Sequence, residues 1–121
     1  MQEYQIPDKP DYRSDMDKSN CVRRFLEIGT GHITEKDNDS LATEFPDYHT
    51  DGLICRPYEY GYWIWVPDEE EEFTQFIENL RDAEYSEALV KIFEKARRLD
   101  CDYIVIDQSG PYHDDLEEFE W

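Results

Sequence analysis

The sequence predicts an α+β fold, with an antiparallel or mixed sheet of about four strands and helices on one face. Three observations carry this reading. Short aromatic and β-branched runs, Tyr62-Trp63-Ile64-Trp65-Val66 the clearest, have the length and composition of strands. Two later stretches repeat apolar residues at helical spacing, first Phe73, Phe76, Ile77 and Leu80, then Tyr85, Leu89, Ile92, Phe93, Ala96 and Leu99. The order of these patterns, βαβ, then β, one or two helices and β, resembles the ferredoxin-like βαββαβ arrangement. With 121 residues, the chain is sized for one domain, and nine Tyr, six Phe and three Trp separate it from disordered acidic sequences.

Residues 1–20 contain Pro7, Pro10 and alternating charges without an apolar period, which predicts an irregular or mobile arm before a domain at 21–121. A first strand is expected from Cys21 through Val22, Phe25, Leu26 and Ile28, closed by Gly29-Thr30-Gly31. Thr34, with Asp37 three residues on, caps a helix whose inner face is Leu41, Ala42 and Phe45 and which Pro46 stops. After a loop at Asp51-Gly52, Leu53-Ile54-Cys55 begins a second strand, joined through Tyr60-Gly61 to Tyr62–Val66 as a hairpin. Asp68 and Glu71 fit a capping box for the next helix. Lys95, Arg97 and Arg98 suit the last turn of the helix after it. Tyr103-Ile104-Val105-Ile106 is a strand, and Leu116–Trp121 is a last short strand or a docked tail. Cys21, Cys55 and Cys101 are too widely spaced for a disulfide or metal framework and read as reduced core thiols.

Thirty-one acidic residues against twelve basic ones leave a net charge of −19. Residues 67–121 hold 18 acids and 5 bases, so most of the negative field arises there. Such a field repels nucleic acid and anionic membrane and selects a basic protein surface as partner. Asp68, Glu69, Glu70, Glu71 and Glu72 form one candidate partner-binding cluster; Asp114, Asp115, Glu117 and Glu118 form another. A row of acids can imitate the phosphate spacing of a duplex, and a solvated acidic face is the competing reading. Tyr58, Tyr60, Tyr62, Trp63 and Trp65 lack the flanking bases of a single-strand binder and are assigned to core or interface packing. With no leader-like start and no long apolar run, the chain is expected in the cytoplasm.

His32 lies between a strand end and a helix start, where ligands often sit, and Asp107, Ser109 and His113 leave the last strand in a polar loop. These four form the candidate ligand site of a small hydrolase or binding domain. Against it, Gly29-Thr30-Gly31 lacks both the dinucleotide fingerprint and the P-loop lysine, and no nucleophile-elbow spacing surrounds Ser109. Asp114 and Asp115 beside His113 do not by themselves make a metal site. No cofactor, metal or catalytic residue is predicted.

Thr30-Gly31-His32-Ile33-Thr34, Pro57-Tyr58-Glu59-Tyr60-Gly61-Tyr62, and Cys101–Asp107 running on to Phe119-Glu120-Trp121 together resemble a bacterial family of unknown function met on plasmids and integrative elements. The likeness spans roughly residues 21–121 and departs at Ser109-Gly110-Pro111, where the family has an Asp-Ala-Pro-like turn. It implies a mobile-element setting and carries over no catalytic residue. The functional expectation is therefore a non-enzymatic acidic protein, a nucleic-acid mimic that blunts a host restriction or immunity protein. The alternatives are the small hydrolase or binding domain and a structural subunit.

Overall fold

The structure, a computed structural model, describes residues 4–42 and 53–121. Along the chain these form α1 (Asp15–Ser19), β1 (Phe25–Gly29), a 3-10 turn (Thr30–His32), α2 (Glu35–Ala42), β2 (Cys55–Tyr58), β3 (Gly61–Trp65), α3 (Glu70–Asp82), α4 (Glu87–Arg98) and β4 (Tyr103–Asp107). The fold is α+β, with a mixed four-stranded sheet in the order β1-β4-β3-β2. β1 runs parallel to β4, and β3 is antiparallel to both β4 and β2. A split βαβ unit keeps a strand between its parallel pair; here β1 and β4 are direct neighbours.

Alternation along each strand divides the sheet into two faces. Leu26, Ile28, Cys55, Tyr62, Ile64, Ile104 and Ile106 point inward and join one core with Phe73, Phe76, Ile77 and Leu80 of α3 and Leu89, Ile92, Phe93 and Ala96 of α4. Phe76 and Phe93 meet edge to face across the two helices at 4.8 Å. The hairpin turns through Glu59-Tyr60 and enters β3 at Gly61, where a Cβ would lie 1.7 Å from the Ile106 carbonyl oxygen. Only glycine allows β3 and β4 to approach there.

Several boundaries differ from the sequence reading. β1 begins at Phe25, because Cys21 turns the chain out of α1 with φ 55° and the Arg24 N–H goes to the Asp102 carboxylate at 3.0 Å. Cys21 is exposed, while Cys55 and Cys101 are buried thiols outside any disulfide. Burial raises the Cys101 thiol pKa. Thr34 caps α2 as expected, exchanging hydrogen bonds with Asp37, but Ala42 faces outward. Phe45, Pro46, Asp51 and Gly52 lie outside the described residues. The N-cap of α3 is Glu69, without a side-chain cap bond, because Asp68 pairs instead with Lys9. Leu99 is the partly exposed C-cap of α4.

The N-terminal arm is irregular apart from α1, and it is tied down. Tyr4 donates to Glu94 at 2.6 Å, the Tyr12 N–H donates to Asp100 at 3.1 Å, and Arg13 meets Asp102 at 2.5 Å. Buried Arg97 donates to the carbonyls of Pro7 and Asp68 and lies over the Phe73 ring. Asp100 and Asp102 are buried acids whose partners come largely from the arm, as a low-dielectric site requires.

Candidate functional site

His32 is fully buried where β1 ends and the chain turns toward α2. Its Nδ1 lies 2.7 Å from the Glu117 carbonyl, and its Nε2 accepts the His113 backbone N–H at 2.8 Å. One donor and one acceptor are what a neutral imidazole offers, so both nitrogens serve the backbone of the C-terminal segment. The Tyr112 and His113 rings stand edge-on at 5.2 and 5.9 Å. Gly31 makes room for this packing, since a Cβ there would come within 2.7 Å of the Tyr112 ring.

The same segment covers the outer edge of β1. The Gly29 N–H donates to the Pro111 carbonyl at 2.9 Å, and His113 Nε2 lies 2.8 Å from the Glu27 carbonyl. Lys95 stands 3.1 Å from His113 Nδ1 and 2.5 Å from Asp115, whose carboxyl it holds below its ordinary pKa. Further on, Leu116 is buried, the Phe119 N–H donates to Gly31, and the Trp121 indole donates to the Ile33 carbonyl. The end of the chain is thus a docked tail and adds no strand.

Asp107 belongs to a separate arrangement. Its carboxylate accepts the Tyr58 hydroxyl and the Ser109 N–H, and these two bonds lower its pKa in that order. Tyr58 is pushed up to about 12 by desolvation and by its bond to Asp107. Of the four ligand-site candidates, His32 and His113 come together through the tail, while Asp107 and Ser109 share a turn. The partners of the two imidazoles are backbone groups and Lys95, so these four residues assemble no Ser–His–Asp relay. Among the described residues no group of three His, Cys, Asp or Glu side chains is placed to hold a metal. A cleft of about 460 Å³ opens nearby between Thr30, Asn38, Tyr58, Tyr60 and Trp121, and none of the four candidates lines it.

The two acidic clusters attach to different sides of the molecule. Lys95, paired with Asp115, and Arg97, bonded to the Asp68 carbonyl, lie two residues apart on α4 and point in roughly opposite directions. Glu69, Glu70, Glu71 and Glu72 are all exposed at the start of α3, as are Asp114, Asp115, Glu117 and Glu118 in the tail. Glu71 and Glu72 edge a groove of about 640 Å³ whose apolar lining is Ile54, Trp65, Pro67 and Phe76. Acid beside apolar surface is the pattern the sequence did not reveal, because Ile54 and Trp65 reach the groove only through strand pairing.

Sequence reasoning assigned Trp63 and Trp65 to core or interface packing without telling the two apart, and the strand alternation puts both on the outer face of the sheet. Phe25, Trp63, Trp65 and Tyr103 pack in a chain of ring contacts, Phe25 to Trp63 at 6.2 Å, Trp63 to Tyr103 at 5.6 Å and Trp65 to Tyr103 at 4.9 Å. Phe25 and Trp63 remain about half exposed. The alternation of Tyr62, Ile64 and Val66 with Trp63 and Trp65 carried that signal.

Among the described residues no helix is long and apolar enough to cross a membrane. None of the curated proteins and none of the solved structures compared with the chain matches it. The sheet, both long helices and the docked tail fall within residues 25–121, which the model of the Family of unknown function (DUF5983) C-terminal domain matches, and the chain belongs to that family.

Proposed function

We propose that this protein is a non-enzymatic interaction protein whose acidic α3 start occupies a basic, nucleic-acid-binding surface of another protein. The observation that supports it best is the groove in which Glu71 and Glu72 border Ile54, Trp65 and Pro67. A partner segment with an apolar anchor flanked by Lys or Arg suits that surface, the anchor supplying affinity and the charges steering approach. The net charge of −19 favours a basic partner over nucleic acid or anionic membrane. The commitment of His32, His113 and Asp107 to internal bonds takes support from the hydrolase reading. The family likeness suggests a mobile element as the setting and inhibition of a host restriction or immunity protein as the role.

The test is a pull-down from host lysate at low and high salt, followed by binding kinetics for the partner captured. Glu69→Gln, Glu70→Gln and Glu72→Gln together remove three charges and leave Glu71 in place. Association at low salt should slow by about tenfold, with the difference from wild type closing as salt rises. Stability should change by no more than about 1 kcal/mol, since exposed acids near a helix start contribute little each. Equal on-rates at low salt would place the binding surface elsewhere.

A further inference from the structure

The sheet buries one face under α3 and α4 and leaves Phe25 and Trp63 on the other about half exposed, with Trp65 and Tyr103 partly so. Val105 sits on that outer face, outside the core cluster, and is buried all the same at 7% exposure. The strand register sets out the chemistry of this face in rows. One row runs Phe25, Tyr103, Trp65 across β1, β4 and β3; the next runs Glu27, Val105, Trp63, Arg56 across the whole sheet. An acid therefore stands on one edge strand and a base on the opposite edge strand, with a small and a large apolar residue between them. Glu27 and Arg56 are both exposed.

We infer that this face is the interface of a homodimer in which two sheets pack outer face to outer face about a two-fold axis parallel to the strands. Such an axis reverses the strand order of the second sheet without changing its rows, so β1 of one copy lies over β2 of the other. Glu27 then meets Arg56 of the second copy, twice by symmetry, and each Trp63 stands over the smaller Val105 opposite. A two-fold axis across the strands would instead set Glu27 against Glu27, which like charge disfavours. An isologous contact needs a self-complementary patch, and a row that is acidic at one end and basic at the other supplies it. Face-to-face sheets about 10 Å apart interdigitate their side chains as in a sandwich, which would bury the aromatic chain from Phe25 to Trp65. A basic partner is the weaker fit here, because Glu27 and Arg56 balance within the row and most of the negative charge lies elsewhere on the chain.

The dimer opposes the proposed partner contact in its response to salt. Two copies of charge −19 repel at long range, so screening should strengthen self-association, whereas screening weakens capture of a basic protein. Sedimentation of the full chain over a concentration series should show a monomer–dimer equilibrium that tightens as salt rises. Trp63→Lys should give a folded monomer, with folding checked by circular dichroism. Glu27→Arg and Arg56→Glu should each weaken self-association by at least about tenfold, and mixing the two variants should restore a heterodimer of near wild-type strength, since every pair across it is again opposite in sign. The Glu69, Glu70 and Glu72 glutamine variant keeps Glu27, Arg56 and Trp63 and should still dimerise, more tightly than wild type at low salt because each copy carries three fewer negative charges. Monomer at every concentration and salt would overturn the inference. So would a dimer indifferent to Trp63→Lys, or a mixture of the charge variants no tighter than either alone.

Discussion

His32 joins the turn after β1 to the C-terminal tail through two backbone hydrogen bonds in a site closed to solvent. Replacing it with Leu keeps much of the bulk and takes the imidazole partner from the Glu117 carbonyl and the His113 N–H, two part-buried bonds. Each lost bond is worth about 0.5–1.5 kcal/mol, so urea denaturation of His32→Leu should show a loss of about 1–3 kcal/mol. Tyr58 makes a different kind of bond, to a carboxylate at the surface. Its pKa is raised from 10.0 to about 12, so the fold favours the neutral phenol. That contribution is complete below pH 10 and is lost as pH rises through about 12. Ultraviolet titration should therefore show a late tyrosinate step that Tyr58→Phe reduces by one group, Tyr4 remaining late because burial and its bond to Glu94 raise it as well. An unchanged late step would mean that the Asp107 bond does not persist in solution.

The N-terminal arm lies outside the family match yet supplies partners for buried charges at the end of α4 and beyond. Deleting residues 1–20 would leave Arg97, Asp100 and Asp102 with fewer partners in a low-dielectric site, and stability should fall by about 3 kcal/mol or more, read as a lowered melting temperature. The arm was not legible as a docked element, because Glu94, Arg97, Asp100 and Asp102 are remote in sequence and nothing local in residues 4–13 announces them. The long helices were legible. In α3, Phe73, Phe76, Ile77 and Leu80 recur at the helical period, and in α4 that period ends with Lys95, Arg97 and Arg98. The cap of α3 was misread because a side chain such as Asp68 can serve either a helix start or an ion pair, and Lys9 decides the competition from elsewhere in the chain.

For the molecule as a whole, periodicity reveals which face of a strand is apolar and is silent about which strand lies beside it. The α+β class therefore followed from the pattern, while the order β1-β4-β3-β2 did not. The candidate site divided along the same line. The acidic excess was visible as composition, but the groove beside Glu71 exists only after Ile54 pairs with Trp65. The parallel union of β1 with β4 also governs how the chain reaches its native state. β1 has β4 as its strand neighbour, so it waits until α2, the hairpin and both long helices have been synthesised before its hydrogen bonds can close. Contacts between segments so distant in sequence carry a large loop-closure entropy, and they place the molecule among slow, late-committing folders. During that wait Phe25, Leu26 and Ile28 form an unpaired apolar edge, which makes the nascent chain most prone to aggregate before β4 emerges.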